Sequence, residues 1–277
     1  MRILLTISFG FTAFSTLLAQ DHRLTDSIVA EGKKLYRSEM ASWYGTDIFV
    51  EKFKEQRKNL SGYFSYADHD RTSCVFYSKG DNPQVMATIS FDSTYEVATA
   101  QVDGNSRELT PYEKDMYLIR KMAMEVINAD SMFRSYPNTS LNLIPIIDGE
   151  QKKVYVLTGP QDVGVIIIGN DYLLTFDKNN NLLTKKQLHR NILPFKYGQE
   201  KDEFGGIHTH LGETGDYITA TDICTIMLYS KFAKWKSHIV MSEKYVSIWN
   251  CDSNSLAVLT REAWERISKD QKKRRNN

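Results

Sequence analysis

The chain has 277 residues, of which 42% are hydrophobic, and this is enough for one large domain or two smaller ones with a real core. Lys and Arg number 35 against 34 Asp and Glu, so the formal net charge is +1. Such a balance gives no electrostatic argument for a nucleic-acid partner. The composition therefore predicts a globular protein.

The first twenty residues predict the compartment. Arg2 is followed by an apolar stretch from Ile3 to Leu18 and then by Ala19-Gln20, a pattern typical of a cleaved secretory signal over residues 1–20. The stretch is interrupted by Thr, Ser and Gly, and no later segment reaches the ~20 apolar residues that a membrane span needs. We expect an exported protein, periplasmic or extracellular, without a membrane span.

Residues 21–105 are predicted to form a smaller N-terminal domain. Apolar residues spaced among Lys and Glu indicate an amphipathic helix over 24–44 and a second one over 48–60. Aromatic and β-branched segments separated by Asp, Asn, Gly and Ser then indicate an antiparallel meander. These segments are residues 62–66, 74–77, 85–91 and 95–102.

The second predicted domain, residues 106–270, begins with a complete helix start. Thr110 is typical of an N-cap, Pro111 of the first helical position and Glu113 of the capping box, so a helix is expected to about residue 129. Strands are then predicted at 142–147, 154–157, 163–168 and 172–176. Because 163–168 shows no polar alternation, we expect it to be a central strand that is covered on both faces.

Further along, the pattern predicts a helix over 219–235, a hairpin of 238–241 with 245–249, and a last helix over 260–270. Residues 271–277 form a basic tail that is expected to be solvated and disordered. The predicted fold class is α+β or mixed α/β, in which a C-terminal mixed sheet flanked by helices follows the helix-plus-antiparallel-sheet domain.

Three cysteines allow two interpretations. Cys224 and Cys251 fall in the same predicted domain and are the more plausible disulfide pair in an oxidising compartment, which leaves Cys74 over. Alternatively, all three are buried free thiols.

His208 and His210 are two residues apart on a predicted strand, so their side chains point to one face. Asp222, at the start of the next helix, can approach the same point. Two imidazoles and a carboxylate are the ligands of a catalytic zinc site that leaves a fourth position for water. The sequence therefore predicts a zinc site formed by His208, His210 and Asp222.

The string Ile207-His208-Thr209-His210, a loop and Thr219-x-x-Asp222 at a helix start resembles the signature of the JAB/MPN (JAMM) metalloprotease family. The resemblance covers roughly the last 120 residues. It implies a mixed sheet flanked by helices, the same zinc ligands, and a role for Thr219 in holding the oxyanion.

The same resemblance places a catalytic base on an earlier strand. The stretch with the family's spacing runs from Gln161 to Gly169, and Gln161 occupies the position of the family's Glu. A Gln cannot take a proton from water. Asp162 is the candidate base if a bulge or turn brings it round, whereas Glu150 and Glu203 have no spacing argument.

Of the remaining histidines, His69, His189 and His238 are predicted to be surface or structural residues. A metal-dependent hydrolase barrel is excluded because too few residues follow His210, and a serine hydrolase is disfavoured because the chain has no Gly-x-Ser-x-Gly elbow.

The sequence leaves two functions open. The first is an exported zinc-dependent metallohydrolase that acts on an amide or isopeptide bond of a peptide or protein. The second is a secreted binding or structural protein that keeps the JAB/MPN-like fold, with or without the metal, and does not catalyse a reaction.

Overall fold

The structure is a computed structural model that describes residues 9–198 and 205–275, with side chains described over 22–198 and 205–274. Within these ranges the chain has four α-helices and fifteen strands, and most of the strand pairs are antiparallel. The predicted mixture of helices and sheets is confirmed. The expected signal peptide, residues 1–20, lies outside the residues whose side chains are described and stays a prediction.

Helix α1 (Phe9–Lys52) is one continuous helix, where the sequence predicted two. Gly45 does not end the helix but lets it approach the sheet, because a Cβ there would lie 2.9 Å from the Cβ of Cys74. The predicted helix over 48–60 is wrong beyond Lys52, since a 3-10 helix, Lys54–Asn59, leads directly into the first strand.

The N-terminal sheet has the order β1-β2-β3-β4, and β5 also pairs with β3. Its first three strands form the predicted antiparallel meander. Helix α1 covers this sheet, and the rings of Phe49 and Phe76 stack with their centroids 4.3 Å apart. The strands are β1 (Leu60–Asp68), β2 (Arg71–Ser78), β3 (Gln84–Phe91), β4 (Gln101–Asp103) and β5 (Arg107–Glu108).

Helix α2 (Pro111–Ala129) begins where the capping signal predicted. The Thr110 hydroxyl accepts from the Glu113 amide at 3.2 Å, and Glu113 accepts from the Thr110 amide at 2.8 Å. Glu113 also forms a two-pronged ion pair with Arg107, which ties the helix start to β5.

The second sheet is fully antiparallel in the order β10-β9-β7-β6, and α2 packs on it. Its strands are β6 (Thr139–Asp148), β7 (Gln151–Pro160), β9 (Tyr172–Phe176) and β10 (Leu182–Gln187). Strand β8 (Val165–Gly169) is buried as expected, but it pairs only with β11 (Ile192–Lys196) among the described strands. The prediction of a central strand was wrong, because an apolar run indicates that a strand is buried but not how many strands pair with it.

The third sheet contains the predicted histidine strand at its edge. Strand β12 (Gly205–Thr209) pairs in parallel with β13 (Ser237–Met241), and the connection between them contains α3 (Ala220–Ala233). Antiparallel β14 (Tyr245–Asn250) and β15 (Ser255–Thr260) complete the sheet. Helix α1 approaches the start of α3 closely at Gly32, where a Cβ would lie 2.7 Å from Ile223.

Helix α4 (Arg261–Arg275) includes most of the residues that were predicted as a disordered tail. Lys and Arg are good helix formers, and their positive charge is favourable near a helix C-terminus. Residues 276–277 lie outside the described part of the chain.

The hydrophobic clusters do not separate cleanly at residue 105, because α1 contributes to the cores on both sides of it. Residues Ile48 and Phe49 pack on the N-terminal sheet, whereas Leu35 packs with Ile144 and Cys224. The division into domains 21–105 and 106–270 stays a prediction.

Candidate metal centre

Strand β12 turns the two predicted histidines to the interior. His208 and His210 are 5% and 6% exposed, whereas Ile207, which precedes them and lies on the other face, is 57% exposed. Two glycines make the close approach of β12 to its neighbour possible. A Cβ at Gly205 would meet the carbonyl oxygen of Ser237 at 1.6 Å, and one at Gly206 would meet His238 at 2.7 Å.

Asp222 lies in the first turn of α3, and its two carboxylate oxygens have different surroundings. Oδ2 accepts from the backbone amide of Thr219 at 2.9 Å and from the Thr219 hydroxyl at 2.8 Å. Oδ1 is buried and accepts no hydrogen bond among the described residues. The capping box therefore fixes the carboxylate and leaves one oxygen available for a ligand.

A fourth residue, His189, joins the predicted three. It lies on the connection between β10 and β11, and its Nδ1 is 3.0 Å from Oδ2 of Asp171, which follows β8. Both side chains are buried. His189 was not predicted as a ligand because no spacing links it to His208 and because the neighbouring Arg190 indicated polar surroundings. Arg190 is exposed and pairs with Glu213.

The ligand atoms of these four residues form a compact group. Nε2 of His210 is 3.1 Å from Nε2 of His189 and 3.0 Å from Nε2 of His208. Oδ1 of Asp222 lies 3.6 Å from His189 Nε2 and 3.5 Å from His208 Nε2, and its Oδ2 lies 3.2 Å from His210 Nε2. We call these four residues the His3Asp group.

Hydrogen bonds within the His3Asp group cannot satisfy all of its atoms. His210 Nε2 faces two other Nε2 atoms, and a ring nitrogen carries either one proton or one lone pair. A cation at the centre would accept a lone pair from every donor, including the free Oδ1 of Asp222. The residues therefore fit a metal ion.

Two further buried side chains orient the histidines. His208 Nδ1 is 2.8 Å from Nε2 of His238, a fully buried residue on β13. Asp171 holds His189 in the same way. Metal-binding histidines usually donate their second ring N–H to such a partner, which fixes the ring and the tautomer. His238 and Asp171 are therefore positioning residues of the site.

The charge states of Asp222 and His208 agree with a cation-binding role. Burial alone would raise the pKa of Asp222, but the neighbouring imidazoles, first His189 and then His208, hold it well below its usual value. Burial lowers the pKa of His208 to about 4 and that of His238 to about 3. For His189, burial is outweighed by Asp222 and Asp171, which raise its pKa to about 9. The carboxylate is thus ionised and His208 is neutral, as metal ligands require, whereas His189 is protonated at neutral pH and would have to release its proton to bind a cation.

The structure does not bring the predicted base to this group. Asp162 is exposed on the turn before β8 and accepts a hydrogen bond from Asn138 at 3.1 Å. Asp171, which contacts His189, comes after β8. Asp162 and Asp171 therefore lie beyond opposite ends of this five-residue strand. Such a strand spans roughly 13 Å between its ends, so Gln161 and Asp162 lie away from the His3Asp group.

Thr219 is close to the group, but its hydroxyl is already engaged. It donates to Asp222 Oδ2 and accepts from the Asp222 amide at 3.1 Å. The three cysteines are free thiols. Cys224 packs with Leu35 and Cys251 packs beside Trp249, in different hydrophobic clusters, so the disulfide considered for them is not formed.

No protein-family model matches the chain, and comparisons with characterised proteins and with solved structures give no match either. In the described residues, no helix is both long and apolar enough to span a bilayer. The fold and the site together define an α+β protein with a buried His3Asp group that can hold a metal ion. The resemblance to the JAB/MPN family stays a prediction.

Proposed function

We propose that this chain is an exported metal-binding protein in which His189, His208, His210 and Asp222 hold one zinc ion as a closed, structural centre. The observation that carries the proposal is the fourth donor, His189, whose Nε2 lies 3.1 Å from His210 Nε2 and 3.6 Å from Asp222 Oδ1. Structural zinc sites use four protein ligands, whereas catalytic sites leave a position open.

The spacing of the donors supports zinc. With zinc–nitrogen bonds of about 2.0–2.1 Å, the donors of a tetrahedral site lie roughly 3.3–3.4 Å apart. The donor separations that involve His210 or Asp222 run from 3.0 to 3.6 Å and bracket that value. Imidazole and carboxylate ligands also suit this ion.

The position of His189 favours a ligand over a catalytic base. A base that contacts water in an open fourth position would lie one hydrogen bond farther out, at more than ~4 Å from the other ligand atoms. His189 Nε2 is instead 3.1 Å from His210 Nε2. It occupies the fourth vertex itself, so the centre is closed.

The ion would join three separate parts of the chain. His189 comes from the β10–β11 connection, His208 and His210 come from the end of β12, and Asp222 comes from the start of α3. A metal that binds only the folded arrangement adds its binding free energy to the stability of the protein. We therefore assign the zinc a stabilising role. Export, to a periplasmic or extracellular location, rests on the predicted signal peptide at residues 1–20.

The second candidate is the zinc-dependent hydrolysis of an amide or isopeptide bond in a peptide or protein. It is favoured by the order His208-x-His210, Thr219-x-x-Asp222 and by the accessibility of His189, whose side chain is 10% exposed. In that case His189 would have to leave the group. A bound zinc would supply Lewis-acid polarisation of the carbonyl and a water of lowered pKa.

Metal analysis of the purified mature protein tests the first proposal. We expect about one zinc per chain, and we expect a chelator that removes it to lower the unfolding temperature by several degrees. The Asp222→Ala variant should hold less zinc after purification, and its unfolding temperature should respond less to the chelator.

The control is His69→Asn, which removes an imidazole that is 91% exposed at a positive φ of 53°, where Asn is tolerated. This variant should keep the zinc, and the chelator should lower its unfolding temperature as it does for the wild-type protein. Zinc content near zero in the native protein would refute the centre. Zinc together with chelator-sensitive cleavage of a quenched-fluorescence peptide or an isopeptide-linked conjugate would instead support the hydrolase.

A further inference from the structure

A second concave site lies away from the His3Asp group, where α1, β1, α2 and β6 converge. It is a cavity of about 270 Å³. One wall is formed by Lys34, Arg37 and Ser38, which share a face of α1 through their i, i+3 and i+4 spacing. We call this cavity the α1 cleft.

The α1 cleft has an apolar and aromatic interior. The rings of Tyr66 on β1 and Tyr112 on α2 meet edge to face, with their centroids 5.2 Å apart. Met116 and Ile146 continue this apolar lining. Small-molecule sites combine such walls with a few polar groups that fix the orientation of the ligand.

Two hydrogen-bond donors of the cleft are available to a ligand. Neither the Arg37 guanidinium nor the Tyr112 hydroxyl receives a hydrogen-bond or ion-pair partner from the residues that the structure describes. Lys34 is paired with Asp148, the one carboxylate in the lining. The charged lining residues Lys34, Arg37 and Asp148 therefore leave one positive charge without a partner.

We propose that the α1 cleft binds a small organic anion, with a carboxylate or phosphate group on Arg37 and an apolar, ring-sized body against Tyr66 and Tyr112. Arg37 has the planar donor geometry that pairs with two anion oxygens at once. Tyr112 supplies a second donor. Asp148 competes with the ligand for Lys34, so the ligand displaces Asp148 or binds beside it.

Binding of phenylacetate and phenyl phosphate to the metal-loaded protein, measured by titration calorimetry, tests the proposal. Two matched probes separate the contributions: acetate has the carboxylate without a ring, and benzyl alcohol has the ring without an anionic group. We expect at least one ring-bearing anion to bind more tightly than both of them. The better of the two anions identifies the preferred headgroup.

Two variants make opposite predictions. Arg37→Gln should weaken binding about ten- to a hundredfold, since a hydrogen-bonded charge pair is lost. Asp148→Asn should tighten binding roughly two- to fivefold, because Lys34 is released and a competing carboxylate is removed. Lys52→Gln, which removes the same charge from an exposed position at the end of α1, should leave binding unchanged.

Three results would overturn the proposal. They are equal binding of benzyl alcohol and phenylacetate, no heat with either anion at millimolar concentration, and weaker binding in Asp148→Asn. The melting temperature of each variant, measured beside the titration, separates lost binding from lost folding. No residue of the His3Asp group lines the cleft, so weaker binding in Arg37→Gln distinguishes binding in the cleft from binding of the anions to a zinc ion.

Discussion

Replacing His189 with alanine separates a centre of four protein donors from one of three. Structural zinc sites with four donors have binding free energies of roughly 10–16 kcal/mol. Divided equally, this is about 2.5–4 kcal/mol for each donor. This share corresponds to a roughly hundred- to thousandfold weaker Kd. His189 is the most exposed of the four residues, and water can replace its nitrogen. We therefore expect a loss at the lower end, about a hundredfold.

Competition with a chromophoric zinc chelator at neutral pH measures this Kd directly. The wild-type protein and His69→Asn should give the same value, and His189→Ala should lose affinity while keeping the ability to bind one ion. A change of less than about threefold would refute the argument, because a true donor cannot be removed at so small a cost. His189 would then not be a ligand. The fourth position would be open, and the hydrolase would become the better interpretation.

Three further predictions concern the support of the site and the fold. Asp171→Ala should weaken zinc binding about ten- to a hundredfold in the same competition assay, since it leaves the His189 ring without its orienting partner. Burial raises the pKa of Glu39 from 4.5 to about 7. The folded state should therefore lose stability as the pH rises from 4.5 to about 7, and this residue should cause no further loss above pH 7. Glu39→Gln should therefore gain up to about 3 kcal/mol over wild type at pH 8 and little at pH 4.5, as measured by denaturant unfolding of the metal-loaded proteins, and an equal gain at both pH values would contradict this. Thr110→Ala should cost about 1 kcal/mol of unfolding free energy because the capping box with Glu113 is lost, whereas Thr110→Ser, which keeps the hydroxyl, should be close to wild type.

Local interactions account for what the sequence predicted well. The start of α2 and the start of α3 both follow from capping boxes, Thr110 with Glu113 and Thr219 with Asp222, whose partners are three residues apart. The inward orientation of His208 and His210 follows from strand alternation, which is equally local. Each of these features depends on a few neighbouring residues, so the sequence displays it directly.

Features that depend on distant partners were not predictable in the same way. Strand β8 shows its burial as an apolar run, but its pairing with β11 depends on a segment more than twenty residues away. His189 lies 21 residues from His210, with which it is in contact. It is oriented by Asp171, 18 residues before it. No periodicity connects these positions, and only the folded chain brings them together.

The Asp222 carboxylate can cap the start of α3 and also offer an oxygen to a metal ion. Its Oδ2 accepts two hydrogen bonds from Thr219 and so meets the needs of the helix terminus. Its Oδ1 has no hydrogen bond in a fully buried position. An uncompensated buried carboxylate oxygen is costly, and His189, whose pKa is raised to about 9, lies 3.6 Å from Oδ1 without a hydrogen bond to it. The same residue thus gains its geometry from the capping box and would gain its compensation from the cation, which is why the motif Thr219-x-x-Asp222 carries structural and metal-binding information together.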